Sequence, residues 1–463
     1  MNREHYDLIV IGAGSAARDG ARKAMAEHGA RVALVEHTRW GGSCPNVACT
    51  PTKAYLVAAE LAHQINTLAP KLGIDAGPAR VDLERVRARK ESLQKPQPKW
   101  VEDLRAAGFD TYEATANFVD PQTIRAGDVE LTAERILIAT GSRTAVPPIE
   151  GIEDVDWLDH VSALELTELP ESLLVVGAGA VGLEFGQTFA RFGSQVTLVD
   201  ALDQIAPRSD PDAAQALHDA FEDEGIPIIL GSFVNSVARE DDGLRLTIVP
   251  RAGGDTRELR VERILLASGR VPNVEDLNLA AAGVAVERLG IPVDEHMRTN
   301  VPGIWAAGDV NAVAQFTPVA QYQARMAVDD MFGVNGAPAD YSVLPTAIFT
   351  DPELASVGLT PQEAEEQGYD VETVSHPLRA VRRASYLDAR HGLYKIVFDA
   401  STRRVLGLHV VAPGASDVVQ GFAIGLRLGV TVDDLAAAHH VFPTIGEGVK
   451  AAAEQARAVV SAA

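Results

Sequence analysis

Short apolar runs followed by glycine-containing turns recur along the chain, and each run is typical of a strand that is buried on both faces. Residues 8–11 form the first run, a helical stretch to His28 follows it, and residues 31–35 form the next strand. This order predicts one βαβ unit of a parallel sheet. The same pattern recurs at residues 173–176 and 195–200, so we predict a second unit of the same kind.

Further apolar runs extend this pattern towards the C-terminus. They lie at residues 135–141, 263–270 and 304–309. The last run ends in Asp309, a candidate ligand group because α/β sheets bind ligands at the carboxyl ends of their strands; an ordinary turn residue is the alternative interpretation. After about residue 336, strand-like runs at 394–398 and 405–411 alternate with helices, which predicts a third domain of α+β type.

The glycine-rich turn of each βαβ unit has the spacing of a dinucleotide-binding motif. In the first unit, Gly12 allows a tight turn, Gly14 lets the backbone approach a pyrophosphate, and Ala17 permits close packing of helix on strand. The free N–H groups at the start of the helix favour phosphate, and Glu36 can accept hydrogen bonds from a ribose. The second unit carries the corresponding residues Gly177, Gly179, Gly182 and Asp200. One such motif is weak evidence, but its repetition predicts two dinucleotides on one chain.

The only two cysteines of the chain, Cys44 and Cys49, follow the first unit. In a regular helix, residues at this spacing have Cα atoms about 8.6 Å apart, beyond the roughly 7 Å that a disulfide tolerates. A bridge therefore requires a local distortion, and Pro45 and Pro51 suit a broken or starting helical turn. A strained bridge is easily reduced, as a working disulfide must be. Two buried thiols or half of a metal site are the alternatives.

Composition and charge narrow the classes of function. A chain of 463 residues predicts about three domains, and its formal charge of −23 argues against nucleic acid and anionic membranes as partners. No apolar run reaches the roughly 18 residues that span a membrane, and the N-terminus leads directly into a strand rather than a secretory signal. Two cysteines do not make a secreted disulfide scaffold, so we expect a cytoplasmic protein, where a disulfide is more often catalytic than structural.

Taken together, these motifs resemble those of the flavoprotein disulfide reductases, the class I pyridine nucleotide-disulfide oxidoreductases, nearly end to end. That family includes dihydrolipoamide dehydrogenase, glutathione reductase and mercuric reductase. The matching segments lie at residues 12–17, 41–53, 139–141, 177–182, 269–273, 307–309 and 349–358. The resemblance implies an α/β fold with two Rossmann-like domains, for FAD and NAD(P), and a C-terminal α+β dimerisation domain. The implied boundaries are 1–150 and 271–335 for the FAD domain, 151–270 for the NAD(P) domain, and 336–463 for the interface domain of a homodimer.

The resemblance also implies roles for individual residues. Electrons would pass from NAD(P)H to FAD and then to the Cys44–Cys49 disulfide, with Cys49 resembling the sulfur near the flavin and Cys44 the interchange thiol. Lys53 resembles the lysine near the reactive nitrogen of the flavin, and Glu184 resembles its ion-pair partner; without the motifs, each is better interpreted as a solvated charge. Asp309 resembles the acid that binds the ribityl chain. Other cofactor-binding positions implied by the family are Gly42, Ser43, Thr140, Gly141, Gly269, Arg270 and Gly308.

The choice between the two nicotinamide cofactors depends on Asp200. An acid at the end of the second strand of this unit favours a free ribose 2′-hydroxyl and repels a 2′-phosphate. No basic residue follows before Arg208. We therefore predict NADH rather than NADPH as the electron donor.

One departure from the family pattern changes the predicted acceptor. Disulfide reductases of the family carry His-x-His-Pro-Thr-x-x-Glu near the C-terminus, and their second histidine is the acid–base. Here Phe442 stands at that position, whereas Glu447 is retained. General acid–base help is worth about 10²–10⁴-fold, and phenylalanine cannot supply it. His440 matches the first histidine of the motif, and it or His439 could substitute, although a structural or exposed imidazole is the simpler interpretation.

Mercuric reductase also lacks that histidine and carries tyrosine there. Residues 442–450 and 381–384 resemble its segments, but this chain ends without the C-terminal cysteine pair that delivers Hg(II). The predicted function is therefore a mercuric reductase-like transfer of electrons to a metal ion or another small-molecule acceptor that demands few protons, with no resident metal site. The alternatives are dihydrolipoyl dehydrogenase or another disulfide reductase with an unrecognised base, and a redox sensor that has lost turnover.

Overall fold

The structure is a computed structural model that describes residues 2–462 of the chain, with the side chains of residues 2–459. In chain order, its strands are β1 (Asn2–Tyr6), β2 (Leu8–Ile11), β3 (Val32–Glu36), β4 (Asp110–Glu113), β5 (Ala116–Asp120), β6 (Thr123–Ala126), β7 (Val129–Ala133), β8 (Ile136–Ile138), β9 (Ser142–Thr144), β10 (Ser172–Val176), β11 (Gln195–Val199), β12 (Ile228–Ile229), β13 (Ser232–Glu240), β14 (Gly243–Pro250), β15 (Arg257–Val261), β16 (Arg263–Leu266), β17 (Arg270–Pro272), β18 (Ile304–Ala306), β19 (Thr346–Ile348), β20 (Glu353–Gly358), β21 (Val371–Pro377), β22 (Leu393–Asp399) and β23 (Val405–Ala412).

The helices lie between and after these strands. They are α1 (Ser15–His28), α2 (Ser43–Val47), α3 (Cys49–Lys71), α4 (Leu83–Ser92), α5 (Gln97–Ala106), α6 (Ala180–Phe192), α7 (Pro211–Asp223), α8 (Leu279–Ala282), α9 (Thr317–Met331), α10 (Pro361–Glu366), α11 (Arg382–Tyr386), α12 (Ala415–Arg427), α13 (Val432–Ala437) and α14 (Glu447–Ala462). Short 3₁₀ helices lie at Ile152–Asp154, Ser162–Glu165, Glu275–Leu277, Asp309–Asn311 and Leu378–Ala380.

The chain forms two compact units, each assembled from three segments. The first unit contains the chain up to Thr52, Ala88–Ala145 and Gly269–Ala339; the second contains Lys53–Arg87, Val146–Ser268 and the chain from Asp340 onward.

The first unit is built on a parallel five-stranded sheet in the order β18-β8-β2-β3-β4. Strands β2, β8 and β18 are wholly buried, which explains why their sequences are continuous apolar runs rather than alternating ones. Strand β18 comes from a segment far along the chain from β8, so the chain returns to complete the sheet. A second, four-stranded sheet has the order β1-β7-β6-β5.

Among its described residues, the second unit contains three sheets. A parallel sheet has the order β12-β11-β10-β16, with β10, α6 and β11 forming the repeat of the first βαβ unit. A three-stranded antiparallel sheet follows, in the order β13-β14-β15. The C-terminal part is an antiparallel five-stranded sheet, β19-β20-β23-β22-β21, packed with helices that include α12 and α14. The predicted α/β class with a C-terminal α+β part is confirmed.

One buried ion pair joins this C-terminal sheet to α7 within the second unit. The Lys395 ammonium on β22 donates to carboxylates of Asp210 and Asp212, at 2.7 Å each. Asp210 is completely buried, and it also caps α7 by accepting from the backbone N–H groups of Asp212 and Ala213. Burial acts to lower the pKa of Lys395, but the hydrogen bonds to the two carboxylates outweigh it and raise the pKa. The lysine is therefore held in its charged form.

Helix length and polarity bear on membrane insertion. No helix within residues 2–462 combines the length and the apolar character that crossing a bilayer requires.

Candidate functional site

The two cysteines flank a break between helices. Cys44 lies in α2, which ends at Val47, and Cys49 is the first residue of α3. Ala48 separates the helices with φ −128° and ψ −98°, outside the helical region. The distortion that the spacing of the cysteines requires is thus present. Cys44 is half-buried and Cys49 is exposed.

The surroundings of Cys44 favour its thiolate. A hydrogen bond from the Cys49 thiol is the largest cause of a pKa lowered to about 6, and burial of Cys44 opposes it. A hydrogen bond from Thr317, at the start of α9, and the positive charge of Arg18 act in the same direction as Cys49. The Cys49 Sγ also lies 3.8 Å from the Thr317 Oγ1. Cys44 can therefore carry a negative charge at neutral pH without a separate base.

The turn that leads into Cys44 packs directly on the start of α1. A Cβ atom on Gly42 would lie 2.4 Å from the Cα atom of Gly14, and one on Gly41 would lie 2.6 Å from the ring of Trp100. These approaches require glycine at both positions, because a side chain cannot fit against the backbone or the buried ring. Ser43, the next residue, begins α2 and is exposed.

The first glycine motif forms an uncapped helix start. Gly12 has φ +110°, and a Cβ atom there would lie 2.4 Å from the carbonyl oxygen of Ala139. Gly14 precedes α1 without any side-chain cap, which leaves the first N–H groups of the helix for another acceptor. Ala17 is fully buried. A phosphate fits this cradle because the backbone donors converge there and no side chain fills it.

Glu36 lies beside this cradle and already accepts several hydrogen bonds. Its Oε2 accepts from the backbone N–H of Ala13 at 3.0 Å, and its Oε1 accepts from the N–H groups of Thr38 and Arg39. A ribose hydroxyl would therefore donate to the Glu36 carboxylate, which the backbone N–H groups already hold in a fixed orientation.

A polar cluster of the first unit brings together predicted residues from distant segments. Asp309 accepts from the Ser142 hydroxyl at 2.6 Å, and the Arg270 Nε donates to the same hydroxyl at 2.8 Å. The Arg270 Nε lies 3.7 Å from the Asp309 carboxylate. Thr140 donates to the carbonyl oxygen of Asn273 at 2.7 Å. The predicted glycines of these turns, all with positive φ, are Gly141, Gly269 and Gly308.

The second glycine motif repeats the first within the second unit. A Cβ atom on Gly177 would lie 2.5 Å from the carbonyl oxygen of Ala267, and Gly179 precedes α6 without a side-chain cap. Gly182 packs so closely that a Cβ atom would lie 1.8 Å from the Gly177 oxygen. Asp200 accepts from the backbone N–H of Ala178 at 2.6 Å, as Glu36 does from Ala13. The two motifs thus share both the helix start and the position of the acid.

The predicted pairing of Lys53 with Glu184 is present in the second unit. Their charged atoms are 2.7 Å apart, and the Glu184 side chain is 8% exposed. Its second oxygen accepts from the backbone N–H of Phe349 at 3.0 Å, and the Lys53 ammonium lies 4.3 Å from the Phe349 ring centre. Both Glu184 oxygens have a donor, so Glu184 is not a solvated charge, whereas the Lys53 side chain is 36% exposed.

The C-terminal segment exposes Phe442 to solvent. Phe442 is 70% exposed, and the preceding residue, Val441, is 77% exposed. Glu447 accepts from the backbone N–H of Thr444 at 2.9 Å, so its carboxylate orders this turn. The nearby imidazoles differ in exposure, because His439 is exposed and His440 is half-buried. Position 442 therefore presents an apolar ring where a proton-transferring group would be needed.

Comparison with known proteins identifies the family. Residues 6–324 match the family described as pyridine nucleotide-disulphide oxidoreductase, and residues 344–453 match the dimerisation domain of that family. Together these matches cover most of the chain. The chain is a pyridine nucleotide-disulphide oxidoreductase. It is therefore an NAD(P)H-dependent flavoprotein enzyme, because the family depends on FAD and uses a pyridine nucleotide.

Mercuric reductases and dihydrolipoyl dehydrogenases are both among the relatives of this oxidoreductase. It is 37% identical over 460 residues to a mercuric reductase of Staphylococcus aureus, covering 98% of this chain and 83% of that protein. It is 38% identical over 455 residues to a dihydrolipoyl dehydrogenase of Thermus scotoductus, covering 97% of each. The solved structure of the Cu(II) complex of the HOCl-induced flavoprotein disulfide reductase RclA from Escherichia coli is similar with a TM-score of 0.86. That match has 29% identity and covers 98% of this chain and all of the other.

The sequence does not predict three residues that lie near the cysteine turn of this oxidoreductase. Arg18, Trp100 and Thr317 lie far apart along the chain, and none belongs to a motif that we identified. The sequence offers one signal: Arg18 directly follows the Gly-x-Gly-x-x-Ala turn. Only the fold shows that this arginine lies over the Trp100 ring.

Proposed function

We propose that this oxidoreductase transfers electrons from NADH through the Cys44–Cys49 pair to a thiophilic or redox-active metal ion. The observation that carries the proposal is the contrast between Phe442 and Cys44. Phe442 presents no proton-transferring group, whereas the hydrogen bonds and charge around Cys44 favour its thiolate. A metal ion needs electrons and thiolate ligands, and a disulfide substrate additionally needs protons.

The electron balance of the proposed reaction is simple. The Cys44–Cys49 disulfide takes up two electrons and two protons and becomes two thiols. Hg(II) bound by the sulfurs would accept two electrons and leave as Hg(0) while the disulfide re-forms and the two protons return to solvent. The net reaction is NADH + Hg(II) → NAD⁺ + H⁺ + Hg(0). With Cu(II), two ions would be reduced to Cu(I) in each cycle.

The residues of the first glycine motif fit FAD. The open helix start after Gly14 suits the pyrophosphate, Glu36 suits a ribose, and Asp309 suits the hydroxyl groups of the ribityl chain. Bound FAD would supply the capacity to accept a hydride from the nicotinamide and to pass electron pairs to the disulfide. By resemblance to the family, we assign Cys49, at the start of α3, to the sulfur near the flavin and Cys44 to the thiol that meets the acceptor.

Lys53 and Glu184 contribute fixed charges in this proposal. The buried Glu184 carboxylate orients the Lys53 ammonium, and the Phe349 ring restricts it further. A cation held in this way stabilises negative charge nearby. We propose that the pair supports reduction of the flavin by the nicotinamide.

We further propose a cytoplasmic homodimer. The matched dimerisation domain supports the homodimer, as do apolar side chains of the second unit that remain exposed on and just after α12. Ile424 is 67% exposed and Leu428 is 81% exposed, which is unusual for large apolar side chains without a partner surface.

NADH is the proposed donor because of Asp200. Its carboxylate lies at the end of β11 and accepts from the backbone N–H groups of Ala178 and Leu202. This fixed negative charge would repel a 2′-phosphate. We expect a higher kcat/KM for NADH than for NADPH in steady-state assays with the same acceptor, and the reverse order would contradict this assignment.

The proposed acceptor is tested by anaerobic NADH oxidation with the purified flavoprotein. Hg(II) in excess thiol, Cu(II) and lipoamide are compared side by side. We expect turnover with a metal ion and little with lipoamide. Fast turnover with lipoamide would overturn the proposal, and bound FAD that NADH cannot reduce would instead favour a sensor without turnover.

Dihydrolipoyl dehydrogenase is the second candidate, favoured by the 38% identity to the Thermus scotoductus enzyme. His439 or His440 would then have to replace the missing base. Phe442→His separates the two candidates. If the base is missing, the substitution raises lipoamide turnover by about 10²-fold or more.

The matched control is Val441→His, which adds an imidazole at the adjacent exposed position and is expected to change little. High lipoamide activity in the natural chain that Phe442→His does not increase would show that another residue already serves as the base.

A further inference from the structure

We infer that Arg251 is a specificity-determining residue that binds the 2′-phosphate of NADPH, so that this chain accepts NADPH as a second electron donor beside NADH. The inference rests on the proposed function, in which the second glycine motif holds the nicotinamide cofactor and Asp200 favours NADH. It concerns the affinity of the protein for one phosphate group, which can be measured whether or not any acceptor is reduced.

Three loops of the second unit meet at the carboxyl end of β11, beside Asp200. The backbone N–H of Gly231, which lies between β12 and β13, donates to the carbonyl oxygen of Leu202 at 2.9 Å. The backbone N–H of Arg251, directly after β14, donates to the carbonyl oxygen of Gly231 at 2.7 Å. The Arg251 backbone is therefore joined through Gly231 to the loop that follows Asp200, although the two residues lie far apart along the chain.

The Arg251 side chain extends from this junction to the residue after Asp200. Its Nη1 donates to the carbonyl oxygen of Ala201 at 3.1 Å. A guanidinium has five N–H donors, so one bond to a carbonyl oxygen leaves others for a phosphate. In dinucleotide sites of this kind, an arginine near the acid at the end of the second strand accommodates a 2′-phosphate. The fold thus supplies a basic residue that the sequence around Asp200 does not contain.

The Arg251 guanidinium is accessible to a ligand. The residue is exposed, and its side chain forms no ion pair with a carboxylate of the described residues. Its position does not depend on such a pair, because the backbone bond to Gly231 and the side-chain bond to Ala201 both go to carbonyl oxygens. A phosphate would therefore meet a guanidinium that no protein carboxylate neutralises, and charge-assisted hydrogen bonds of this kind are the strong ones.

Two carboxylates of the loop after β11 oppose this contact. Asp200 is one, and both of its oxygens accept from backbone N–H groups, those of Ala178 and Leu202. Asp203 is the other, and a Cβ atom on Gly231 would lie 2.7 Å from its Oδ1. A 2′-phosphate carries a charge of about −1.5 to −2 and is repelled by both. Arg251 offsets part of that repulsion, so we expect NADH to remain preferred and NADPH to be accepted.

The test compares two nucleotides that differ only in the 2′-phosphate, adenosine 2′,5′-bisphosphate and adenosine 5′-monophosphate. Their affinities for the FAD-loaded enzyme, in which the first dinucleotide site is already filled, are measured by isothermal titration calorimetry at one pH and one ionic strength. Arg251→Met is expected to weaken binding of the bisphosphate by about 10-fold and to leave binding of the monophosphate unchanged. Arg251→Lys keeps the charge and is expected to lose less.

Steady-state kinetics provide a second measurement with the complete cofactors. In Arg251→Met, we expect the KM for NADPH to rise by about 10-fold, whereas kcat and the KM for NADH stay near the values of the natural chain. The reason is that the substitution removes a contact with the 2′-phosphate, which takes no part in hydride transfer.

Arg239→Met is the matched control. Arg239 is another arginine with an exposed side chain on the β13-β14-β15 sheet, and it pairs with Asp156 at 2.9 Å. Its replacement changes the net charge by the same amount as Arg251→Met and is expected to alter neither affinity. A loss of the expected size in Arg239→Met would show that the effect is one of net charge, and it would overturn the inference.

The remaining outcomes separate the inference from the proposed function. Equal weakening of both nucleotides in Arg251→Met would show that the side chain only orders the loop after β11, and it would overturn the inference. An unchanged affinity for the bisphosphate in that variant, or a natural chain that binds the monophosphate alone, would also overturn it and leave NADH as the proposed donor. The expected losses in an enzyme that reduces no metal ion would retain the inference and reject the proposed acceptor.

Discussion

Replacement of Cys49 by serine is expected to abolish metal-dependent NADH oxidation, with a loss of about 10⁴-fold or more, as for the removal of other catalytic nucleophiles. The reason is chemical, because a serine hydroxyl cannot form the disulfide through which the proposed electron pair passes. Cys44→Ser is expected to cause a loss of the same size. The assay is anaerobic NADH oxidation with Hg(II) in excess thiol, or with Cu(II).

The two variants differ in what remains of the thiol chemistry. In Cys49→Ser, the new hydroxyl can still donate a hydrogen bond to the Cys44 sulfur, and this bond continues to favour the Cys44 thiolate. In Cys44→Ser, the Cys44 thiolate is absent, and Cys49 is the single thiol that remains. Retention of the flavin absorbance and its bleaching by NADH serve as controls for folding and loading. Metal-dependent turnover that survives in either variant would contradict a reaction through the cysteine pair.

Lys395→Met is expected to lower the free energy of unfolding by about 3–5 kcal/mol, because it leaves the buried Asp210 carboxylate without its counter-charge. Asp212 is partly exposed and can be hydrated, but Asp210 is fully buried and is also engaged as the cap of α7. Chemical denaturation of the natural chain and the variant at one protein concentration measures the difference.

Lys450→Met is the matched control for that substitution. Lys450 lies 4.0 Å from Glu454 on the same helix, and both side chains are substantially exposed. An exposed pair of this kind contributes about 0.3–0.5 kcal/mol at most, so the control should be close to the natural chain. Equal losses in the two variants would show that the buried pair does not stabilise the second unit as we expect.

The βαβ repeats could be predicted from the residues, because their signals are local, whereas the return of the chain to the first sheet was implied only by the resemblance to the family. Continuous apolar runs specify buried parallel strands, and the glycines specify turns that no other residue fits. The break between Cys44 and Cys49 was also predictable, since helix geometry and disulfide geometry conflict at that spacing. The division into four domain segments remains a prediction.

The electrostatics of the site could not be predicted in the same way. Arg18, Trp100 and Thr317 become neighbours of the cysteine turn only through packing between distant parts of the chain. The hydrogen bond from the Thr444 backbone N–H to the Glu447 carboxylate could not be predicted either. The family motif indicates that Glu447 is retained, but it does not indicate that its carboxylate orders this turn. Charge–charge contacts depend on side-chain positions that no pattern of hydrophobic spacing encodes.

The position of β18 at the edge of the first sheet has a consequence for biosynthesis. Strand β8 leaves the ribosome long before β18, its partner in the sheet, and the strands β10–β16 of the second unit are made in between. At typical elongation rates of about 5–20 residues per second, the edge of β8 waits for roughly 10–30 s. The nascent chain must therefore carry an unpaired sheet edge through that interval, and the second nucleotide-binding sheet can form cotranslationally before the first is complete.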